Sequence, residues 1–438
     1  MQQILSRLKY EVGSAQTIEK MTEKGGKVPF SEELIQFLNA WSRLILKSPD
    51  SRNYPDVVTF AFWIRKANVI ELRDRFMREE GCVRGRGVAF HIAPSNVAVN
   101  YAYSLVTGLL TGNANIVRIP SKEFPQVMIL NRTLQEALET CPQWQDEICL
   151  VRYGHDPEIN DTLSQMADAR IIWGGDGTIG EIRRSPLKAR AFDICFADRY
   201  SLAVIDVQSY LQCEDKQQVA SDFYNDTYLT DQNACTSPRV VIWHTCNTTE
   251  VEQKQAADLF WQHLWELVSR RYELQPVQAV DKLMAAYLVA AERPEWEPVR
   301  VDSAEGTDLL ASDVSIVTNK NDNRLMRIRI SGLDASLMGY RENSGFFYEY
   351  SCDDLKELLP LCGSRCQTIG YLGDAEMFAS LLAEELSGVD RIVPIGKTMD
   401  FDLIWDGYNL YEMMTRRIAN FFQENSKRTK VSKTRTDI

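Results

Sequence analysis

Cys235 is the residue that first suggests chemistry. It lies in Asp231-Gln232-Asn233-Ala234-Cys235-Thr236-Ser237-Pro238-Arg239, a small-residue loop between a predicted helix and the strand-like VVIWH. A thiolate in such a loop can attack a carbonyl carbon, and the oxyanion that develops then needs hydrogen-bond donors. Asn96, in Ala93-Pro94-Ser95-Asn96, offers one on a turn after a short apolar strand. The same side chain could instead cap the helix predicted over 97–111. A third segment, Gly174-Gly175-Asp176-Gly177-Thr178-Ile179-Gly180, joins a strand to a helix. Glycines there let backbone N–H groups approach an anion closely at the positive end of a helix. Diphosphate binding is the functional reading of that run, and a tight turn without ligand is the plain one.

The glycine run supports several nucleotide readings. Gly175, Gly177 and Gly180 match GxGxxG, the dinucleotide fingerprint, with Asp193 further on near the ribose position. Gly174 to Thr178 spell GGDGT, which is similar to the phosphate loop of NAD kinases and diacylglycerol kinases. Gly175 and Gly180 frame the GxxxxG spacing of the aldehyde dehydrogenase superfamily. The run alone does not choose among them.

Composition narrows the classes. The chain has 438 residues, a formal charge of −12 and 45% hydrophobic content. That balance argues against nucleic acid or an anionic membrane as main partner, though not against one local basic pocket. Ten cysteines contain no CxxC pair and histidines number four, which argues against a metal site. The start, MQQILSRLKYEVG, lacks a signal-peptide core, so reduced thiols in a cytoplasmic protein are expected. Cys149, Cys195, Cys213 and Cys246 lie in or beside apolar segments and read as core thiols. Residues 87–117 carry no Asp, Glu, Lys or Arg. The length suggests a membrane span, but Pro94, Ser95, Asn96, Gly112 and Asn113 break any lipid-facing helix. The run reads as strand, turn, helix, turn, strand inside a protein core.

The elements that must position these residues follow from periodicity. Strands are predicted at 88–92, 115–119, 148–153 and 170–173, alternating with helices at 97–111, 124–140 and 157–167. This β-α alternation predicts an α/β fold with a doubly wound parallel sheet. A second unit begins near SLAVID (201–206). It has predicted helices near 213–229, 250–270, 279–291, 353–360 and 374–387, and strands near 239–244, 313–318 and 326–331. The expected domains are a helical region over 1–80, a cofactor domain over 81–205 completed by about 390–425, and a catalytic domain over 206–389. A basic tail over 426–438 is expected to be disordered.

Four segments occur together in one order: HIAPSN (91–96) with LLTGNANIVRIPS (109–121), IIWGGDGTIGEIR (171–183), DQNACTSPR (231–239), and DRIVPIG with IWDG (390–396 and 404–407). With them the chain resembles the aldehyde dehydrogenase superfamily and, within it, the LuxC-type acyl-CoA reductases. The resemblance implies an NADP-binding domain of doubly wound parallel sheet plus a second α/β catalytic domain. It makes Cys235 the nucleophile and Asn96 an oxyanion donor. Arg118, Pro120 and Ser121 match the Lys-Pro-Ser segment that holds the adenosine ribose, and arginine at the lysine position implies NADPH. Gly175 and Gly180, with Gly174 and Gly177 in the same turn, match the glycines under the cofactor diphosphate. No metal is implied.

One departure is informative. Hydrolytic members carry a glutamate at the place of Ser201, and no glutamate lies between residues 182 and 213. Without that base an acyl-enzyme should survive to receive hydride, with Asp198 the nearby carboxylate that could still intervene. Glu342 is the candidate for holding the nicotinamide ribose. The resemblance thus implies reduction of a fatty acyl thioester, acyl-CoA or acyl-protein, to an aldehyde. It further implies an acyl-protein synthetase partner and a homo-oligomer. Two rivals stay open at this point: a GGDGT-type NAD or lipid kinase, and a non-catalytic subunit of an acyl-transfer complex.

Overall fold

A computed structural model describes residues 1–77, 82–299 and 322–419. The strand expected near 313–318 and the tail over 426–438 lie outside the described residues. The chain divides into two units, Met1–Ala197 with Tyr408–Ile438, and Asp198–Gly407.

The first unit is built on a six-stranded sheet. Its order is Lys9–Val12, Ile148–Arg152, Ala114–Arg118, Val88–Ile92, Ala169–Trp173, Phe192–Phe196. All neighbours are parallel except the edge strand Lys9–Val12, which runs antiparallel and which the helical reading of 1–80 missed. Val88–Ile92 is buried at every position, as a strand shielded on both faces must be. The charge-free run becomes Val88–Ile92, the helix Asn100–Leu110 and Ala114–Arg118. Its polar groups pair with one another. The Trp173 indole donates to Ser104 Oγ at 3.2 Å, and Ser104 Oγ lies 2.7 Å from His91 Nδ1. His91 Nε2 lies 2.9 Å from Asn115 Oδ1. Burial pushes His91 down to about 4, so this knot is neutral at physiological pH. It ties together the three strands whose ends carry the expected cofactor segments. Gly108 makes room for it, because a Cβ there would meet Asn115 Oδ1 at 1.7 Å.

The second unit holds a seven-stranded sheet in the order Glu297–Val299, Met326–Arg329, Phe346–Cys352, Pro238–His244, Tyr200–Asp206, Cys366–Leu372, Arg391–Pro394. Only the edge pair Glu297–Val299 with Met326–Arg329 is antiparallel. The division falls at Asp198 and Gly407, not at 206 and 389. Hydrogen bonding explains the difference. Tyr200–Asp206 pairs with Pro238–His244 and Cys366–Leu372, and Arg391–Pro394 adds to the latter. The stretch 374–387, expected to be one helix, is a 3-10 turn at Ala375–Phe378 and a single helical turn at Ala379–Leu382. Beneath the sheet the buried Glu349 carboxylate accepts from Arg327 at 3.0 Å, Trp261 Nε1 at 3.1 Å and Trp243 Nε1 at 3.2 Å. Among the described residues no helix is long and apolar enough to cross a membrane, and no cluster of His, Cys, Asp or Glu could hold a metal.

Candidate active site

In the first unit the chain reverses its direction of travel across the sheet at Val88–Ile92. The strands Ala114–Arg118 and Ile148–Arg152 lie to one side, and Ala169–Trp173 and Phe192–Phe196 to the other. Nucleotides bind at such switch points, beyond the carboxyl ends of the strands. The three expected segments leave from those ends. Asn96 follows Ile92, Pro120 and Ser121 follow Arg118, and the glycine run follows Trp173.

None of the four glycines has a positive φ. A Cβ at Gly175, Gly177 or Gly180 would meet no atom within 4 Å, and only Gly174 would touch a neighbour, Thr178 at 3.3 Å. Neither backbone strain nor packing within this chain asks for glycine at these positions. The tight-turn reading therefore has no support here, whereas the open backbone fits the approach of a dinucleotide diphosphate.

Arg118 Nη2 donates to the carbonyls of Tyr153 at 3.3 Å and Gly154 at 3.4 Å, and its guanidinium lies 4.5 Å from the Tyr153 ring centroid. Arg152 donates to the Pro120 carbonyl and braces that segment. Asn96 is exposed. The helix Asn100–Leu110 takes Val99 as its N-cap without a side-chain hydrogen bond, so Asn96 does not cap it.

Cys235 belongs to the second unit and sits just before Pro238–His244, at the amino ends of the parallel strands. Ser201, Pro238, Thr368 and Arg391 form one lateral row across that edge. The loop is held in an unusual backbone. Asp231 and Gln232 are both left-handed, at φ 51° and 57°. Such positions cost about 1–3 kcal/mol each and persist only when the surroundings fix them. Gln232 does the fixing. Its amide donates to the carbonyls of Pro238 at 2.8 Å and Phe346 at 3.1 Å, and accepts from the N–H groups of Gly345 and Phe346 at 3.0 and 3.1 Å. Ser201 Oγ donates to the Cys235 carbonyl at 2.7 Å.

The loop itself is uncharged around the cysteine, but its surroundings are not. Arg199 donates to the Cys366 carbonyl at 2.6 Å and to Asp390 Oδ2 at 2.5 Å. Gln367, fully buried, donates to Asp406 Oδ1. Burial, and next the Asp406 carboxylate, push the thiol up to about 12. Burial pushes Asp406 up to about 6. Cys235 is half-buried, so the loop leaves its thiol partly reachable, and that thiol is protonated at neutral pH. Arg199, Gln367 and Asp406 escaped the sequence reading as chemical groups. DRIVPIG and IWDG supply Asp390 and Asp406, and in the sequence they signal a family pattern rather than charges near a thiol. Glu342 accepts from Tyr348 Oη at 2.8 Å and its pKa is raised by burial. Asp198 Oδ2 is paired with Arg341 and with Arg365 at 3.2 Å. Of the cysteines read as core thiols only Cys149 is buried; Cys195 and Cys213 are half-buried and Cys246 is exposed. Cys246 lies in the turn beyond His244, next to left-handed Asn247, and not in the strand itself.

These features define an aldehyde dehydrogenase fold. The chain superposes on an NADP-dependent glyceraldehyde-3-phosphate dehydrogenase from Bacillus halodurans with a TM-score of 0.57 and 15% identity, covering 92% of this chain and 89% of that one. An NAD-dependent benzaldehyde dehydrogenase from Corynebacterium glutamicum gives 0.57 and 13% over 91% and 88%. Within that fold, residues 73–286 match the family model described as acyl-CoA reductase (LuxC). The chain is 23% identical over 380 residues to a long-chain acyl-protein thioester reductase of Aliivibrio fischeri, covering 84% of this chain and 69% of that protein. The resemblance to LuxC-type acyl-CoA reductases drawn from the four sequence segments therefore stands.

Proposed function

We propose that this protein reduces a fatty acyl thioester to the aldehyde with NADPH, carrying the acyl group on Cys235. The observation that supports this best is Ser201. It occupies the place of the water-activating glutamate of hydrolytic relatives, and its hydroxyl is engaged by the Cys235 carbonyl at 2.7 Å. A serine so bonded offers no base for hydrolysis. Asp198, the other carboxylate in question, is held by two arginines. An acyl group on Cys235 then persists long enough to be reduced.

In this reading the Cys235 thiolate attacks the thioester carbon, and Asn96 with a backbone N–H stabilises the oxyanion. The thiol of the donor leaves. Gly174, Gly175, Gly177 and Gly180 would hold the cofactor diphosphate, and Arg118, Pro120 and Ser121 the adenosine ribose with its 2′-phosphate. The nicotinamide, when bound, supplies hydride. The thiohemiacetal on Cys235 then releases the aldehyde and regenerates the thiol. Overall, thioester, NADPH and one proton give aldehyde, thiol and NADP. By its name, the Aliivibrio fischeri relative points to an acylated protein as donor beside acyl-CoA, with an acyl-protein synthetase as the partner that loads it.

Cys235→Ala tests the reading. The variant should lose acyl-CoA-dependent NADPH oxidation and covalent labelling by radioactive acyl-CoA, while still binding NADPH by fluorescence titration. Oxidation at the wild-type rate in that variant would overturn it.

A further inference from the structure

Gln232 fixes the Cys235 loop by bonding to Gly345 and Phe346, so the loop is only as firm as that second turn. The second turn is strained as well. Ser344 and Gly345 are both left-handed, at φ 61° and 86°. A Cβ at Gly345 would collide with the Arg324 carbonyl and the Tyr228 hydroxyl. The two turns brace each other. The Ser344 N–H donates to the Asp231 carbonyl at 2.9 Å, and the Gly345 N–H donates to Gln232 Oε1 at 3.0 Å. Tyr272 Oη steadies the first turn from one side, donating to Asp231 Oδ1 at 2.7 Å. Strained turns persist only when their surroundings fix them, so the second turn needs an anchor of its own.

Lys282 supplies that anchor. It lies in the helix Pro276–Glu292 and is buried. Its Nζ donates to the carbonyls of Ser344 at 2.6 Å and Gly345 at 3.3 Å, and to that of Asn323. Two successive carbonyls of the left-handed turn thus converge on one nitrogen. Asp322, the carboxylate that Lys282 feels through space, is itself paired with Arg324. Burial draws the Lys282 pKa down, but three carbonyl acceptors call for three N–H donors, and only the ammonium has three. A buried cation is costly, and a hydrocarbon side chain would fill the same space without that cost. What the lysine adds is a fixed place for the turn.

We propose that Lys282 is a positioning residue for the nucleophile: its ammonium holds the Ser344–Gly345 turn, and that turn holds Asp231 and Gln232 and so the backbone of Cys235. The proposal rests on the reading of Cys235 as the acyl carrier. Lys282 acts through the turn and not on the reacting atoms. Attack on a thioester carbon needs the sulfur placed at about 3–3.5 Å with the right approach, and a misplacement of about 1 Å can cost about a hundredfold in rate. Loss of the clamp therefore shows in the acylation step.

The experiment uses the full-length protein and radiolabelled palmitoyl-CoA without NADPH, so that acylation is followed alone. The Cys235 sulfur–carbon bond forms, the carbon–sulfur bond of CoA breaks, and the proton passes from one thiol to the other. Lys282→Met keeps nearly the length of the side chain and removes its donors. It should lower the acylation rate constant by about tenfold or more, while the final label per chain and the affinity for NADPH stay at wild-type values. Hydrogen exchange should quicken about tenfold at the amides of 231–233 and 344–346 and stay unchanged over Val88–Ile92. A lysine that served global stability alone would lower the label per chain, because fewer chains fold, and leave the rate constant as it was. Lys282→Gln, one bond shorter but still a donor, should fall between Lys282→Met and wild type. Should Lys282→Met fail to unfold cooperatively, Lys282→Gln decides the matter on the same readouts. An unchanged rate constant, or loop amides that exchange at the wild-type rate, would overturn the proposal. If Cys235→Ala still takes up label and reduces acyl-CoA, the function is wrong, and the exchange rates alone then decide whether Lys282 holds the loop.

Discussion

The candidate residues of the two units lie at opposite ends of their parallel strands and in different surroundings. In the first unit the candidate residues leave the carboxyl ends on exposed glycine turns, above a neutral knot of Trp173, Ser104, His91 and Asn115. In the second the half-buried thiol lies at the amino ends beside Arg199 and Asp406, in a unit whose core pairs Arg327 with Glu349, as the first unit pairs buried Arg170 with Asp193. The roles proposed for the two edges fit this difference. A diphosphate needs open backbone donors, and a site open to solvent needs only strands held in register. A thiol beside buried charges needs those charges paired, as Arg199 is with Asp390.

The strongest way to break the contrast is to remove the ionic core of the second unit. Glu349→Ala would leave Arg327 buried without its counter-charge and the Trp243 and Trp261 indoles without an acceptor. Deleting one partner of a buried pair typically costs about 3–5 kcal/mol. Urea unfolding should show a loss of that size. A loss below about 1 kcal/mol would mean the pair is not needed, and the contrast with the neutral knot would collapse.

The neutral knot should betray itself through pH. His91 is lowered from 6.5 to about 4 in the folded state, because burial disfavours the charged ring. Between those values the unfolded chain binds the proton and the folded chain does not, so stability falls as pH falls. The contribution is fully present above the unfolded value and is lost progressively from about 6.5 down to about 4, amounting to about 3 kcal/mol. His91→Gln keeps a polar side chain but cannot titrate, and should flatten the unfolding midpoint over that window. A wild-type slope that survives this substitution would place the titration elsewhere.

How much of this was legible in the sequence depends on the range of the interactions. Val88–Ile92 and Ala169–Trp173 read directly, because strands buried on both faces are mostly apolar, with His91 and Arg170 the polar members. The glycine run could be located but not interpreted, since its openness is a property of what lies around it. The edge strand Lys9–Val12 and the strand Cys82–Gly85, which pairs with Thr415–Ile418, are short, and long-range pairing defines them. The cysteine loop could be recognised from its small polar residues. Its electrostatics could not, because the Arg199 and Asp406 charges that act on Cys235 come from segments distant in sequence. Ser201 is the exception, since its separation from Cys235 in the sequence matched a family spacing, and the two meet at 2.7 Å.

The smallest effect tests the open edge itself, and its value lies in its sign. Gly180 lies inside the helix Asp176–Ile182, and a Cβ there would meet nothing within 4 Å. Alanine in a helix interior is favoured over glycine by about 0.5–1 kcal/mol, so Gly180→Ala should be slightly more stable in thermal unfolding. If the bare backbone exists to admit a diphosphate, the added methyl group intrudes on the ligand alone. NADPH affinity should then fall about tenfold, close to 1.4 kcal/mol, in fluorescence titration. Stability and affinity would move in opposite directions from one methyl group. A variant that gains stability and keeps full affinity would show that the open space at this edge is unused, and the diphosphate reading of the glycine run would fall with it.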